Sequence, residues 1–195
     1  MKKIITISRE FGSCGSVIGE KLADRLGYEY YDKAIILTAS REGHIDFEEA
    51  SLWDENAKPR LIKTKNIFEI YNKAMDERVF EHQAEVIKRM AVKGRCVLIG
   101  RNANMILKEY DSTLHVFIHA NDYWRLMQLK ERFPEIPEAR LMDKIREVDR
   151  ARKNYCNYFT NTEFGHAANY DITLSASTLG SDTCVDILYK LATEE

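Results

Sequence analysis

The amino-acid sequence predicts an α/β fold in which a parallel sheet is covered by helices on both faces. Short apolar runs alternate along the chain with segments whose apolar residues recur at helical spacing. Residues 96–99 form a continuously apolar run, which is typical of a parallel strand covered on both sides, and residues 114–118 predict another buried strand. The length of 195 residues and the hydrophobic content of 45% suit a single domain, residues 1–195, without internal repeats or linkers.

The N-terminal segment predicts a strand, a glycine-containing turn and a helix. Residues 4–8 form a β-branched run, and a turn over residues 12–15 interrupts it. Apolar residues then recur at helical spacing up to Gly27, a residue suited to ending a helix because glycine readily adopts the left-handed conformation. Residues 28–31 predict a second strand, and Asp32 is a suitable N-cap for a helix over residues 33–41.

The rest of the chain continues the alternation after a polar stretch. Residues 43–65 are polar and mixed, so we expect an insertion there, with a short helix over residues 47–56. The later predicted helices cover residues 67–93, 103–108, 121–132, 137–157 and 182–192. The later predicted strands cover residues 96–99, 114–118 and 172–174.

The composition argues against several classes of protein. The 29 Lys and Arg residues nearly balance the 31 Asp and Glu residues, which argues against binding of nucleic acid or a membrane surface through a basic field. The four cysteines form no C-x-x-C pair, and the five histidines show no metal-ligand spacing. No stretch is long enough to span a membrane, and the first apolar run is too short for a signal peptide. We therefore expect a cytoplasmic protein with free thiols and no metal site of its own.

The turn after the first predicted strand has the composition of a phosphate-binding site. Glycines let the backbone wrap closely around an anion, and the N-terminus of the following helix adds partial positive charge. The residues expected to bind donor phosphates here are Gly12, Ser13, Cys14, Gly15 and Ser16. A tight turn that merely joins a strand to a helix is the alternative interpretation.

The turn lacks two side chains that P-loops usually supply, a lysine and a Ser or Thr shortly after it. Gly15 stands where the lysine is expected, and Val17 stands where the Ser or Thr is expected. The lysine normally reaches the β- and γ-phosphates, and the hydroxyl normally holds magnesium. We expect a substitute cation from Arg9, just before the turn, or from Lys21 in the following helix.

Four blocks of sequence resemble the cytidylate kinase-like family, short relatives of bacterial cytidylate kinases. The blocks are ITISREFGSCGSVIGEKLADRLGYEYYDKAII, VLIGRNA, HVFIHA and VDRARKNYCNYFT followed by NYDITLS. The resemblance implies a three-layer P-loop NTPase fold with a monophosphate-binding lobe at about residues 43–65 and a lid at about residues 146–165. It also implies transfer of the ATP γ-phosphoryl group to CMP or dCMP, a small-molecule nucleotide substrate, with magnesium.

The same resemblance implies residues that bind the acceptor nucleotide. Gly100-Arg101 follows a buried strand as in cytidylate kinases, so Arg101 is expected to contact the acceptor phosphate, with Asn102 in place of their aspartate. Asp32 is shared with those enzymes after the second strand, and Lys33 is a further candidate contact. The serine, tyrosine and arginine that select cytosine in cytidylate kinases are missing from this segment.

Residues of the predicted lid complete the expected site. Asp149 and Arg152 resemble the lid pair that contacts the acceptor, and their spacing puts them on one face of a helix together with Arg146. Arg150 is expected to close over the transferred group with Arg146 and Arg152. Arginine suits this work because its planar fork binds phosphate oxygens in pairs. An exposed face of ordinary ion pairs is the alternative interpretation.

The sequence leaves more than one function open. A kinase for a nucleoside monophosphate is the leading hypothesis, and a kinase for a different small acceptor is close to it. Gly15 and Val17 support a second class, a nucleotide-binding sensor without catalysis. A nucleic-acid-binding α/β protein would need a basic face that the balanced charge does not predict. The oligomeric state stays open.

Overall fold

The computed structural model describes residues 1–32 and 77–194. Within these ranges the sheet has five strands, all parallel, in the order β2-β3-β1-β4-β5. The strands are β1 Ile4–Arg9, β2 Glu29–Tyr31, β3 Cys96–Ile99, β4 Thr113–His119 and β5 Ile172–Ser175. Central β1 pairs with β3 on one side and with β4 on the other, with Ile4 opposite both Cys96 and Thr113. The predicted helices over 33–41 and 47–56 and the start of the helix over 67–93 lie outside the described residues.

Helices cover both faces of this sheet, which confirms the predicted α/β class. The described helices are α1 Gly15–Leu26, α2 Glu77–Lys93, α3 Ala103–Ile106, α4 Asp122–Arg132, α5 Glu138–Thr160, α6 Ala176–Leu179 and α7 Ser181–Thr193, with a 3₁₀ turn at Ala167–Asn169. One hydrophobic core lies between the sheet and helices α1 and α7, and a second lies between the sheet and helices α2 and α3. None of these helices is long and apolar enough to cross a membrane.

The strand order creates a crevice at the carboxyl end of β1. The chain leaves β1 towards β2 at one edge of the sheet, whereas it leaves β4 towards β5 at the other edge. Ligands of open parallel sheets bind where such connections diverge. The turn after β1 lies at this point. The strand itself runs one residue further than predicted, so that Arg9 continues the face of Ile5 and Ile7, which packs against α1.

The opposite face of β1 carries buried polar side chains. The Thr6 hydroxyl lies 2.8 Å from Nδ1 of His115 on β4. The backbone N–H of His115 donates to the Asp171 carboxylate at 2.7 Å. Burial lowers the pKa of His115, Asp171 opposes this effect, and Lys2 adds to it. The imidazole is therefore held neutral inside the fold.

Acidification should destabilise the protein through His115. Because burial lowers its folded-state pKa below 6.5 while the unfolded chain keeps an ordinary value, the unfolded state takes up the proton first. The contribution of His115 is thus complete above about pH 6.5 and is lost as the pH falls further. Urea denaturation at about pH 7.5 and about pH 5.5 measures the loss, which should be smaller in the His115→Gln variant. His82→Gln, at an exposed histidine of α2, serves as the control. An equal pH dependence in wild type and His115→Gln would contradict the assignment.

Candidate phosphate-binding site

The turn between β1 and α1 presents backbone rather than side chains. Gly12 and Cys14 have positive φ angles of 77° and 59°, which curl the chain before the helix begins at Gly15. Cys14 is the N-cap of α1, yet no side chain caps the helix there. A helix N-terminus without a side-chain cap is the arrangement in which backbone N–H groups bind phosphate, so the start of α1 is a candidate anion site.

The two serines of the turn direct their hydroxyls into the protein. Ser13 Oγ donates to the carbonyl oxygens of Glu10 at 2.9 Å and Ile118 at 3.2 Å, which joins the turn to β4. Ser16 Oγ donates to the Asp32 carboxylate at 3.2 Å. Both serines are completely buried. Their hydroxyls therefore shape the site, and the phosphate donors that the turn supplies are its backbone N–H groups.

The side chain of Arg9 occupies the space beside the missing lysine. A Cβ atom built on Gly15 would lie 2.5 Å from Arg9 Cβ and 2.8 Å from Arg9 Cγ, closer than real side chains pack. A Cβ on Gly100 would collide with Arg9 Nη1. The two glycines thus leave room for the arginine. Lys21, the other proposed cation, instead pairs with Asp182 of α7 at 2.6 Å on the protein surface.

Asp32 faces the arginine from the end of β2. Its Oδ1 lies 3.7 Å from Arg9 Nη2, and both side chains are only 13% exposed. Its Oδ2 accepts from Ser16 and lies 3.4 Å from the Tyr30 hydroxyl, which itself donates to the Ser16 carbonyl at 3.1 Å. Burial, and then the charge of Asp32, raise the pKa of Tyr30, which therefore stays a neutral donor. Lys33, the predicted neighbour of this group, lies outside the described residues.

The segment after β3 has an unusual backbone. Gly100, Arg101 and Asn102 have consecutive positive φ angles of 69°, 57° and 56°, a conformation that costs energy for residues other than glycine. The Arg101 side chain is half-buried and makes no ion pair with the described part of the chain. Asn102 is 7% exposed, and within the described residues its Nδ2 has no hydrogen-bond partner. A buried amide without an acceptor is costly, so this position suits a ligand oxygen.

Two of the predicted lid residues contact the turn directly. Asp149 Oδ1 accepts from the backbone N–H of Phe11 at 2.8 Å, and Arg152 Nη1 donates to the carbonyl of Arg9 at 2.7 Å. The other two lie elsewhere on α5. Arg146 is exposed and lies 3.8 Å from Asp143, and Arg150 is exposed as well. The structure therefore brings Asp149 and Arg152 to the turn and leaves Arg146 and Arg150 facing solvent.

Arg125, a buried cation on α4, is not among the residues predicted from the sequence. Its Nη1 lies 2.5 Å from Asp149 Oδ2 and 3.8 Å from Glu10, and its Nη2 lies 2.5 Å from Asp122. Burial lowers the pKa of Arg125, but the surrounding carboxylates outweigh this effect and raise it. The sequence did contain a signal that Arg125 is buried. Arg125 precedes Leu129 by four residues and therefore lies on the apolar stripe of the helix.

Metal-ligating side chains are sparse in the described ranges. No group of three or more His, Cys, Asp or Glu residues there is arranged to hold a metal ion. Asp32 is the carboxylate that faces Arg9 beside the turn. Magnesium commonly binds through one or two carboxylates together with substrate phosphates and water, and Asp32 fits that mode.

A parallel sheet with a backbone-built phosphate turn after its central strand defines a P-loop protein with a kinase-like fold. The model of the cytidylate kinase-like family matches residues 4–178. The chain therefore belongs to the cytidylate kinase-like family, as the four sequence blocks indicated.

Solved structures support the same fold. The chain is similar to an uncharacterized protein from Eubacterium ventriosum ATCC 27560, with a TM-score of 0.75, 22% identity and coverage of 100% of both chains. It is similar to shikimate kinase from Bacteroides thetaiotaomicron, with a TM-score of 0.56, 13% identity and coverage of 98% of both chains. A gluconokinase from Sinorhizobium meliloti 1021 gives a TM-score of 0.54 and 12% identity over 98% of this chain and 94% of that one. No curated protein matches the chain.

Removal of the Asp149 carboxylate should loosen the turn and destabilise the fold. Asp149→Ala leaves the Phe11 amide and one arm of Arg125 without their acceptor, at a cost of about 2–3 kcal/mol for hydrogen bonds to a charged group. Asp143→Ala, at an exposed residue of the same helix, should change stability by less than about 1 kcal/mol. The free energies of unfolding in urea measure both effects. Equal losses of unfolding free energy in the two variants would show that the Asp149 contacts stabilise the protein no more than those of a surface carboxylate.

Proposed function

We propose that the protein is a kinase that transfers the ATP γ-phosphoryl group to a nucleoside monophosphate. The observation that supports this best is the arrangement of three neighbouring strand ends. The phosphate turn follows β1, the Arg101–Asn102 segment follows the adjacent β3, and Asp32 follows β2. The donor site and the acceptor site would then share one crevice, which is what a direct transfer requires.

Each side of this crevice would contribute a different interaction. The backbone amides at the start of α1 would hold the donor phosphates. Arg101, which makes no ion pair with the described residues, would bind the acceptor phosphate through its planar fork. The buried Asn102 amide would donate to an acceptor oxygen. Phosphoryl transfer needs mainly such positioning and charge neutralisation, so no covalent intermediate with the protein is required.

Magnesium and the lid would complete the reaction. When bound, magnesium would neutralise phosphate charge, and Asp32 is the residue that would hold it. Arg146 and Arg150 face solvent on α5, so their action on the phosphates would require movement of the lid, about residues 146–165. Such closure excludes water and prevents simple hydrolysis of ATP.

The acceptor is proposed to be CMP or dCMP, on the basis of membership of the cytidylate kinase-like family. The missing cytosine-selecting residues leave a different small acceptor as the nearest alternative. We place the enzyme in the cytoplasm, where ATP is supplied, and we expect its partners to be small molecules rather than nucleic acid or membranes. The near balance of charges supports this expectation.

A sensor that binds nucleotides without turnover is the competing function. It is favoured by Gly15 and Val17, because neither residue can supply the usual phosphate cation or magnesium ligand. The two functions differ in their products. A sensor binds ATP and releases it unchanged, whereas a kinase converts ATP and its acceptor to two diphosphates.

An assay of the purified protein with ATP, magnesium and each common ribo- and deoxyribonucleoside monophosphate tests the proposal. We expect ADP to form together with the diphosphate of the acceptor, fastest with CMP or dCMP. Binding of ATP without any diphosphate product, for every acceptor offered, would favour the sensor.

Arg101→Ala should reduce kcat/KM for the acceptor about 10- to 100-fold, as expected for the loss of a charge-assisted hydrogen bond worth about 1.5–3 kcal/mol. Arg25→Ala is a matched control, because this arginine lies at the other end of α1 and pairs with Asp186 on the surface. Its kinetics should equal those of wild type. A similar loss in both variants would remove Arg101 from the acceptor site.

A further inference from the structure

The position of Arg9 relates two glycines that are far apart in the sequence. The aliphatic part of its side chain lies against Gly15 at the start of α1, with only 2.5 Å from Cβ to a Cβ built on Gly15. Its guanidinium lies against Gly100 after β3. Any side chain at either position would displace the arginine. The Cβ and Cγ atoms of Arg9 therefore close Gly15 to any side chain, whereas Gly100 faces the guanidinium and is also favoured as glycine by its positive φ of 69°.

This packing accounts for the missing lysine. The usual lysine would extend from position 15, and Arg9 fills the space through which it would leave the backbone. A protein that kept both residues would have to move one of them. The chain thus replaces a cation on the helix by a cation on the strand, and the total charge beside the turn is conserved.

The surroundings of Arg9 hold it in place beside the turn. Its backbone carbonyl accepts from Arg152, and its guanidinium lies 3.7 Å from the Asp32 carboxylate. Its side chain is 13% exposed, so the charge is partly shielded from water and still accessible at the edge of the crevice. The guanidinium lies between the donor turn and the Gly100–Arg101 segment.

We infer that Arg9 is the residue that replaces the P-loop lysine and binds the terminal phosphates of a nucleoside triphosphate. This inference rests on the nucleotide binding in the proposed function and adds the identity of the cation. Arg9 contacts the phosphate oxygens, and Asp32 orients the guanidinium until the nucleotide arrives. Arginine suits a strand position because its length spans the glycine at the helix start and its fork takes two oxygens at once.

Calorimetric titration of ATP and ADP, in the presence of magnesium, tests this role without requiring turnover. Arg9→Ala should bind ATP about 10- to 100-fold more weakly. Its affinity for ADP should fall by a smaller factor, because ADP lacks the terminal phosphate. Arg9→Lys should recover a substantial part of the ATP affinity. Lys21→Ala, the matched control on α1, should bind ATP within about twofold of wild type.

A charge-swap variant tests the packing argument. Gly15→Lys alone should fold less stably and bind ATP weakly, because its new side chain collides with Arg9. Arg9→Gly combined with Gly15→Lys removes the collision and returns the cation to the helix, so the double variant should bind ATP better than either single variant. Thermal unfolding of every variant separates loss of fold from loss of affinity. If Gly15→Lys does not fold, recovery of folding and of binding in the double variant still supports the inference.

Three results would overturn the inference. The inference fails if Arg9→Ala retains the ATP affinity of wild type, if the affinities for ATP and ADP fall by the same factor, or if the double variant binds ATP worse than both single variants. Wild-type binding of ATP without phosphoryl transfer would refute the proposed kinase activity only, and Arg9 would still be judged by binding. Failure of wild type to bind ATP would refute both.

Discussion

A buried ion pair between Asp149 and Arg125 fixes the phosphate turn to the two helices that follow β4. One oxygen of Asp149 takes the Phe11 amide and the other takes the guanidinium of Arg125. Charges inside a protein are tolerated only when their partners satisfy them, so each group depends on the others. Glu10 extends the arrangement by accepting the backbone N–H of Ala120 at 3.1 Å while facing Arg125. The shape of the turn is therefore set by residues of α4 and α5, far from it in sequence.

This anchoring of the turn explains why its backbone and the charged side chains around it have different roles. The Asp149 carboxylate holds the backbone of Phe11 beside the turn, whereas Ser13 and Ser16 donate their hydroxyls to protein acceptors. Negative charge lies behind the turn, at Glu10 and Asp149. Positive charge lies beside and in front of it, at Arg9 and Arg101. In the proposed function, a phosphate bound at the turn would be offered backbone amides and the guanidinium groups of Arg9 and Arg101.

The sequence predicted the fold well because its signals are local. Apolar runs identify buried strands, and the glycine turn identifies the start of α1. Arg125 and Glu10 were missed because their roles arise only when α4 packs against the turn. The grouping of Arg146 with Arg152 was based on helical spacing, yet two steps of three residues rotate a side chain by about 120° relative to the starting face. Arg146 therefore leaves the buried stripe that Asp149 and Arg152 share.

The contacts of Arg9 with Gly15 and Gly100 affect how a sequence motif can describe this kind of site and how the site can change during evolution. A sequence motif of consecutive residues describes a site whose parts are adjacent in the chain. Here Arg9, Gly15 and Gly100 belong to β1, α1 and the segment after β3. A descendant that acquired a lysine at position 15 before losing Arg9 would pass through a crowded intermediate. One that lost Arg9 first would pass through an intermediate with less positive charge beside the turn. If Arg9 binds phosphate as proposed, both orders pass through a less favourable intermediate, and we expect positions 9 and 15 to change together.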